Sequence, residues 1–333
     1  MEITQIQRFS SSNVIPQSKT FCKDECPKFP AVCTQFDTST FFIYPKKMNV
    51  KSKKQLEQID FLNAIKELGI SGADVCVHAS VKSFGAKINC GIKGIVQAFL
   101  SQGCTVIVPA FSDEYEACPV KKYMPERNGA GDYSFFLNKD YPVKKIFDVT
   151  SKEISLEEMG LFSKTVLDFE KSFRGNNPLN SFAAVGRNAE KLTRAQTAKD
   201  VYAPLRRLCD DDGYVLLIGV GFDSATIIHY AEQLSGRTPF VRWAYDRYQR
   251  VIPVSAGSCS DGFENLAPFV NPIAKKTKVA ESEWTCFKAS DLAEICRNQI
   301  EQNPMITHCS DPACQRCNDA ISGGPILPPH FWN

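Results

Sequence analysis

The sequence predicts an α/β protein with mixed sheets and crossover helices. Three observations lead there. Apolar residues recur at helical spacing over Leu56, Ile59, Leu62, Ile65 and Leu68, and again over Ile92, Ile95, Val96, Phe99 and Leu100. A glycine, Gly69 or Gly103, stops each of these stretches, and a short apolar run of strand length follows at residues 74–79 and 104–109. Helix, strand, helix, strand at this spacing packs as layers, with helices crossing over a sheet.

The remaining elements follow in order. Residues 1–54 are rich in Pro, Ser and Lys, lack periodicity and read as an N-terminal extension; an α/β domain spans 55–300, and a Cys-containing C-terminal tail spans 301–333. Residues 112–150 mix aromatic, charged and glycine residues without a period. That is the pattern of a long irregular excursion, and such excursions in compact domains are usually functional. A helix is predicted over residues 156–174. The most apolar segment, Tyr214-Val-Leu-Leu-Ile-Gly-Val-Gly221, follows Asp210-Asp-Asp-Gly213 and reads as a central strand. It runs into a helix over residues 223–232 with Asp223 as its N-cap.

Composition excludes several function classes. The 39 Lys and Arg face 37 Asp and Glu, a net charge of +2, which excludes a polycationic nucleic-acid binder. No apolar run reaches the roughly 18 residues of a membrane span, and the first residues lack the apolar core of a secretory signal. The expectation is a cytoplasmic protein with neither nucleic acid nor membrane among its partners; a homodimer is left open.

Of the 14 cysteines, eight are scattered singly (Cys259 among them) and read as small hydrophobes. The rest cluster as Cys22, Cys26, Cys33 and as Cys309, Cys314, Cys317. Without a secretory signal a disulfide framework is not expected, which leaves metal binding or free thiols. Cys309, Cys314 and Cys317, with His308 beside them, are candidate ligands of a structural zinc ion.

His229 and Glu232 are i, i+3 neighbours on one predicted helix, and Asp223 lies at its start. A histidine held by carboxylates is what a general base near neutral pH requires. The same spacing also permits a packed core histidine with Asp223 merely capping the helix.

Six segments, taken in order, resemble the aminoglycoside 3-N-acetyltransferase family, the antibiotic acetyltransferases outside the GNAT fold. They are Val77-His-Ala-Ser-Val-Lys-Ser-Phe-Gly85, Gly91-Ile-Lys-Gly94, Val108-Pro-Ala-Phe-Ser112, Glu158-Met-Gly-Leu-Phe-Ser163, Tyr202-Ala-Pro-Leu205 and Gly221-Phe-Asp-Ser-Ala-Thr-Ile-Ile-His-Tyr-Ala-Glu232. The resemblance implies an antibiotic N-acetyltransferase-like fold and acetyl transfer from acetyl-CoA to an amine acceptor in a ternary complex. It implies His229 as catalytic base with Asp223 and Glu232 as its carboxylates. It also implies a cofactor-binding segment comprising His78, Ser80, Ser83, Phe84 and Gly85. Where relatives carry Arg-Ser-x-His-Pro, this chain has Arg174-Gly-Asn-Asn-Pro178, which makes Asn177 a candidate substrate residue of altered character.

The acceptor is less constrained. Aminoglycosides are polycations, and Asp113, Glu114 and Glu116 in the excursion are candidates to line their site. An amino sugar linked to a nucleotide is the alternative, with Arg237, Arg242 and Arg247 available to phosphates. A CoA-binding relative that has lost turnover is the other class consistent with Asn177.

Overall fold

The computed structural model describes residues 55–130, 133–141, 144–329 and 331–332. The extension expected at 1–54, with Cys22, Cys26 and Cys33, lies outside the described residues.

Seven strands form one sheet in the order Lys275–Val279, Ser282–Lys288, Tyr214–Ile218, Asp74–Ala79, Thr105–Pro109, Phe182–Val185, Phe173–Arg174. The Asp74–Ala79 strand is parallel to both its neighbours, and every other pairing is antiparallel. The sheet is therefore mixed, as the sequence predicts. The central strands are apolar at consecutive positions because both faces are covered. Val75, Val77, Val106, Val108, Leu216 and Ile218 face one layer, with Phe61, Ile65, Ile95, Phe99, Phe162 and Val166. Cys76, Ile107, Val215 and Leu217 face the other, with Leu205, Leu208, Ile227, Ile228 and Leu292. This is the period-2 alternation of a strand, read out as two cores. Trp284 anchors the first core, stacked on Phe99 at 6.1 Å between ring centroids.

The helices Gln58–Leu68 and Gly91–Ser101 form where the apolar spacing predicts them, and Gly69 closes the first in the left-handed conformation (φ 68°). Three predicted boundaries move. The helix expected over 156–174 runs from Leu156 to Asp168, interrupted by Gly160 at φ 74°, and Phe173–Arg174 is instead the edge strand. Lys171 at φ 61° reverses the chain between them. The strand expected to reach Gly221 stops at Ile218, because Gly219 takes φ 60° against Ser83; a Cβ there would lie 2.1 Å from the Ser83 Oγ. Beyond it Phe222–Ser224 make a single 3-10 turn and the helix spans Ile227–Leu234, so Asp223 is not its N-cap.

A second sheet, the hairpin Phe240–Tyr245 with Val251–Ala256, gathers the irregular segments. Ala117 of the excursion donates to the Trp243 carbonyl at 2.8 Å, and Phe136 packs edge-on to Trp243. Residues beyond the Ala289–Gln302 helix lie on the same side: Arg127 donates to the Gly324 carbonyl at 2.7 Å, and Thr238 to that of Gly323 at 3.0 Å. Among the described residues no helix is long and apolar enough to cross a membrane.

Candidate active site

The strands Asp74–Ala79, Thr105–Pro109 and Tyr214–Ile218 all end at one cleft of about 1050 Å³, lined by Ala79, Pro109 and Val220 just past or at those ends. Ligands of open α/β sheets bind at such carboxyl ends, where neighbouring strands diverge. Across the cleft stand the excursion and the hairpin, which contribute Asp113, Glu116 and Arg242.

His229 reaches the cleft from the Ile227–Leu234 helix. Its Nδ1 lies 2.8 Å from Glu232 Oε2. The ring is clamped between Tyr202, stacked at 6.3 Å, and the edge of Phe263 at 4.7 Å. With Nδ1–H donating to the carboxylate, Nε2 keeps its lone pair; a Cβ on the cleft residue Gly257 would stand 3.4 Å from it. Glu232 is held on its other oxygen by Arg237 Nη1 at 2.6 Å and Thr307 Oγ1 at 3.2 Å, while Ser258 donates to Oε2 at 3.1 Å. Burial opposes ionisation of Glu232, yet the hydrogen bond from His229 and the charge of Arg237 hold it below the usual carboxylate range. The result is an oriented imidazole backed by a fixed negative charge.

Asp223, the expected partner, lines the cleft but is exposed, and its hydrogen-bonding neighbour is Ser224 at 3.3 Å. The carboxylate that meets the imidazole is Glu232, one turn along the helix. Arg237, expected near phosphates, is instead buried behind Glu232. Arg247 stacks on Tyr248.

The segment expected to hold cofactor divides in two. His78 and Ala79 line the cleft. Burial drives the His78 imidazole down to about 4, so it stays neutral. Ser80 donates its N–H to the Ile218 carbonyl at 2.9 Å and turns the chain. Ser83 bonds Ser282 Oγ at 2.7 Å, Phe84 is withdrawn into the core beside Phe61 and Trp284, and Gly85 (φ 59°) packs on Glu281. Those three hold the turn from behind rather than from the cleft.

Asn177 is fully buried. Its Oδ1 accepts from the N–H groups of Leu179 (3.1 Å) and Asn180 (2.7 Å), and its Nδ2 donates to the carbonyls of Ser255 (3.1 Å) and Thr197 (3.3 Å). All its hydrogen-bonding capacity is internal, and the residues that face the cleft are the two it holds, Leu179 and Asn180. Asn177 therefore sits one layer beneath the cleft lining, and a side chain this committed to backbone groups has nothing left to offer a ligand.

Asp113 and Glu116 line the cleft as expected, and Glu158 and Asp223 join them. Glu116 is paired with Lys139, and Glu114 points outward to Lys145. Burial and then the nearby Asp113 raise the Glu158 carboxyl above its usual range. A smaller neighbouring hollow of about 630 Å³ adds Asp140 and Glu157 to the same acidic side. Glu158 stood in a quoted motif and Tyr202 in another, but nothing in the sequence marks Ser258, which reaches Glu232 from 26 residues away.

The Sγ atoms of Cys309, Cys314 and Cys317 converge, and Cys259, expected to be a solitary hydrophobe, completes the group.

Residues 76–301 match the family model described as aminoglycoside 3-N-acetyltransferase. Aminoglycoside N(3)-acetyltransferase III of Pseudomonas aeruginosa is 29% identical over 261 residues, 72% of this chain and 92% of that protein. Among solved structures, the apoenzyme of aminoglycoside acetyltransferase AAC(3)-IVa superposes with a TM-score of 0.62 at 19% identity, covering 82% of this chain and 99% of that one. A binary complex of AAC-IIIb with CoASH gives 0.59 at 19% identity, over 75% and 97% of the respective chains. The chain belongs to the aminoglycoside 3-N-acetyltransferase family of acyltransferases, for which acetyl-CoA is the cosubstrate.

Proposed function

We propose that this chain transfers the acetyl group of acetyl-CoA to an amine of an aminoglycoside, with His229 as general base. The observation that carries the reading is the His229–Glu232 pair at the cleft, with Nδ1 engaged at 2.8 Å and Nε2 left to accept a proton. An ammonium cannot attack a thioester. The acceptor nitrogen therefore reacts as the free amine, its ammonium proton released to solvent. His229 Nε2 takes one of the two remaining protons as the nitrogen bonds to the acetyl carbonyl carbon. The C–S bond then breaks, and the imidazolium returns the proton to the departing CoA sulfur. Glu232 steadies the imidazolium through Nδ1–H. Most of the remaining gain comes from holding amine and thioester together. We assign the pantetheine arm to the Ala79, Pro109 and Met159 side, where the lining is apolar, and the acceptor to the side of Asp113, Glu158 and Asp223. Relatives support both ends: AAC-IIIb was solved with CoASH, and an AAC(3)-IVa variant with a gentamicin.

Charge favours the aminoglycoside over a nucleotide-linked amino sugar. The cleft cation Lys139 is paired with Glu116, Arg237 is paired with Glu232, and Arg242 donates to the carbonyl of Val241 while stacking on Phe136. Arg242 and Arg316 also line the cleft, but with Lys139 they face four carboxylates, Asp113, Glu116, Glu158 and Asp223, so the balance of charge favours a polycationic acceptor.

The test is release of free CoA thiol near neutral pH with a panel of aminoglycosides and nucleotide-linked amino sugars. Release with an aminoglycoside is the expected result. Release only with a nucleotide sugar moves the acceptor to the alternative class. CoA binding with silence across the panel would mean a relative that has retired from catalysis.

A further inference from the structure

Cys259 is 50 residues or more from the other three cysteines in sequence, yet all four sulfurs lie within 4.8 Å of one another. A tetrahedral zinc site with Zn–S bonds of about 2.3 Å separates its sulfurs by roughly 3.8 Å, so the four are at ligand spacing. Disulfides join sulfurs only in pairs and give no reason for four to share a centre. Cys259 and Cys317 are buried, and Cys309 and Cys314 are half-buried, as in a closed structural site. The Cys309 N–H donates to Cys317 Sγ at 3.5 Å and so orients that sulfur within the group. His308 is not a fifth candidate. Its Nδ1 meets the Cys309 carbonyl at 2.8 Å and its Nε2 meets Asn318 Oδ1 at 3.1 Å, so both ring nitrogens are engaged elsewhere.

We propose that Cys259, Cys309, Cys314 and Cys317 bind one zinc ion as a structural tetrathiolate site that clamps the C-terminal segment onto the wall of the catalytic cleft. Four soft thiolates select zinc over hard cations. On binding, four S–H groups give up their protons and four Zn–S bonds form, with no change of oxidation state. The clamp reaches the cleft from two directions. Cys259 lies between Ser258, which donates to Glu232, and Ser260, a cleft residue; Arg316, between two of the ligands, lines the same cleft. Zinc thus sets the position of the serine that steadies the His229–Glu232 pair. The proposal stands whatever amine the cleft accepts.

The full-length chain, expressed with added zinc and purified reduced and without chelator, is assayed for metal by mass spectrometry. A cobalt-reconstituted sample is read for the visible bands of tetrahedral thiolate-bound cobalt. One zinc per chain and thiolate-to-cobalt charge transfer are expected. Cys22, Cys26 and Cys33 can hold metal of their own, so a variant with all three changed to Ser is measured alongside and should keep its single equivalent. Cys259→Ser should weaken zinc retention by more than the roughly 10- to 100-fold typical of losing an outer-shell partner and lower the Tm. Metal-free wild-type protein, disulfides among these four cysteines, or loss of the zinc with the N-terminal triple variant would each overturn the proposal. The wild-type cobalt spectrum needs no variant to fold.

Discussion

Glu232 and Arg237 form an ion pair sealed behind the cleft, 2.6 Å from Oε1 to Nη1, with each side chain less than a tenth exposed. Removing one partner of such a pair leaves the other charge buried and uncompensated. Glu232→Gln should therefore cost about 3–5 kcal/mol in urea unfolding, far beyond a surface substitution. Turnover should fall with it, because the imidazole loses the charge that orients it. An unchanged unfolding midpoint would show that Arg237 finds water instead.

His229→Ala tests the base itself. Turnover should drop by about 10²- to 10⁴-fold, while calorimetric CoA affinity stays close to wild type. A variant that still turns over at the normal rate would remove His229 from the proton path.

Asn177→Ala separates a supporting role from a substrate contact. Its hydrogen bonds to backbone groups are lost, and the expected cost is roughly 1–3 kcal/mol of stability, seen as a lower urea midpoint. A rise in acceptor KM with the midpoint untouched would return Asn177 to the cleft.

Asp113→Asn and Glu158→Gln should each raise the aminoglycoside KM about fivefold, equivalent to ~1 kcal/mol, and leave the CoA KM alone. Added salt should shrink the difference, since the acceptor charges are partly exposed. Equal shifts in both KM values would argue against a divided cleft.

His78 gives stability a pH dependence. Its folded imidazole sits at about 4 because burial disfavours the cation, against an unfolded value of about 6.5. The unfolded chain binds the extra proton between those values, so this contribution is complete above about pH 6.5 and is lost as pH falls toward 4. At most it amounts to about 3 kcal/mol. His78→Gln should flatten the slope of urea stability against pH across that window.

How much of this was legible beforehand follows from the range of each interaction. Local patterns succeeded: the apolar spacing of Ile65 and Leu68, the glycine after them and the strand that begins at Tyr214 are decided by neighbours in the chain, although the end of that strand at Ile218 is not. His229 and Glu232 were also legible, because three residues on a helix guarantee proximity. Asp223 was misplaced because the turn at Phe222–Ser224 breaks the helical register on which its N-cap assignment depended. Asn177 was judged by the residue type it replaces, whereas its burial depends on Thr197 and Ser255, and no periodicity links those to it. Cys259 and Ser258 joined their partners only through the tertiary path of the hairpin. The same long reach left the acidic wall only partly in view: Asp113 and Glu116 were candidates from the excursion, but Glu158 and Asp223 joined them only once the sheet was placed opposite.

The proposed proton-transfer pair and most of the acidic wall come from separate stretches of the chain: His229 and Glu232 from one short helix, Asp113, Glu116 and Glu158 from the segment before the Phe173–Arg174 strand, with Asp223 alone near the helix. Choice of acceptor and ability to react can consequently vary independently. An exchange of residues 113–158 with a relative of different antibiotic preference should carry the preference across while His229 goes on doing the same work. For a family confronting structurally diverse antibiotics, that division lets specificity drift without reinventing the reaction.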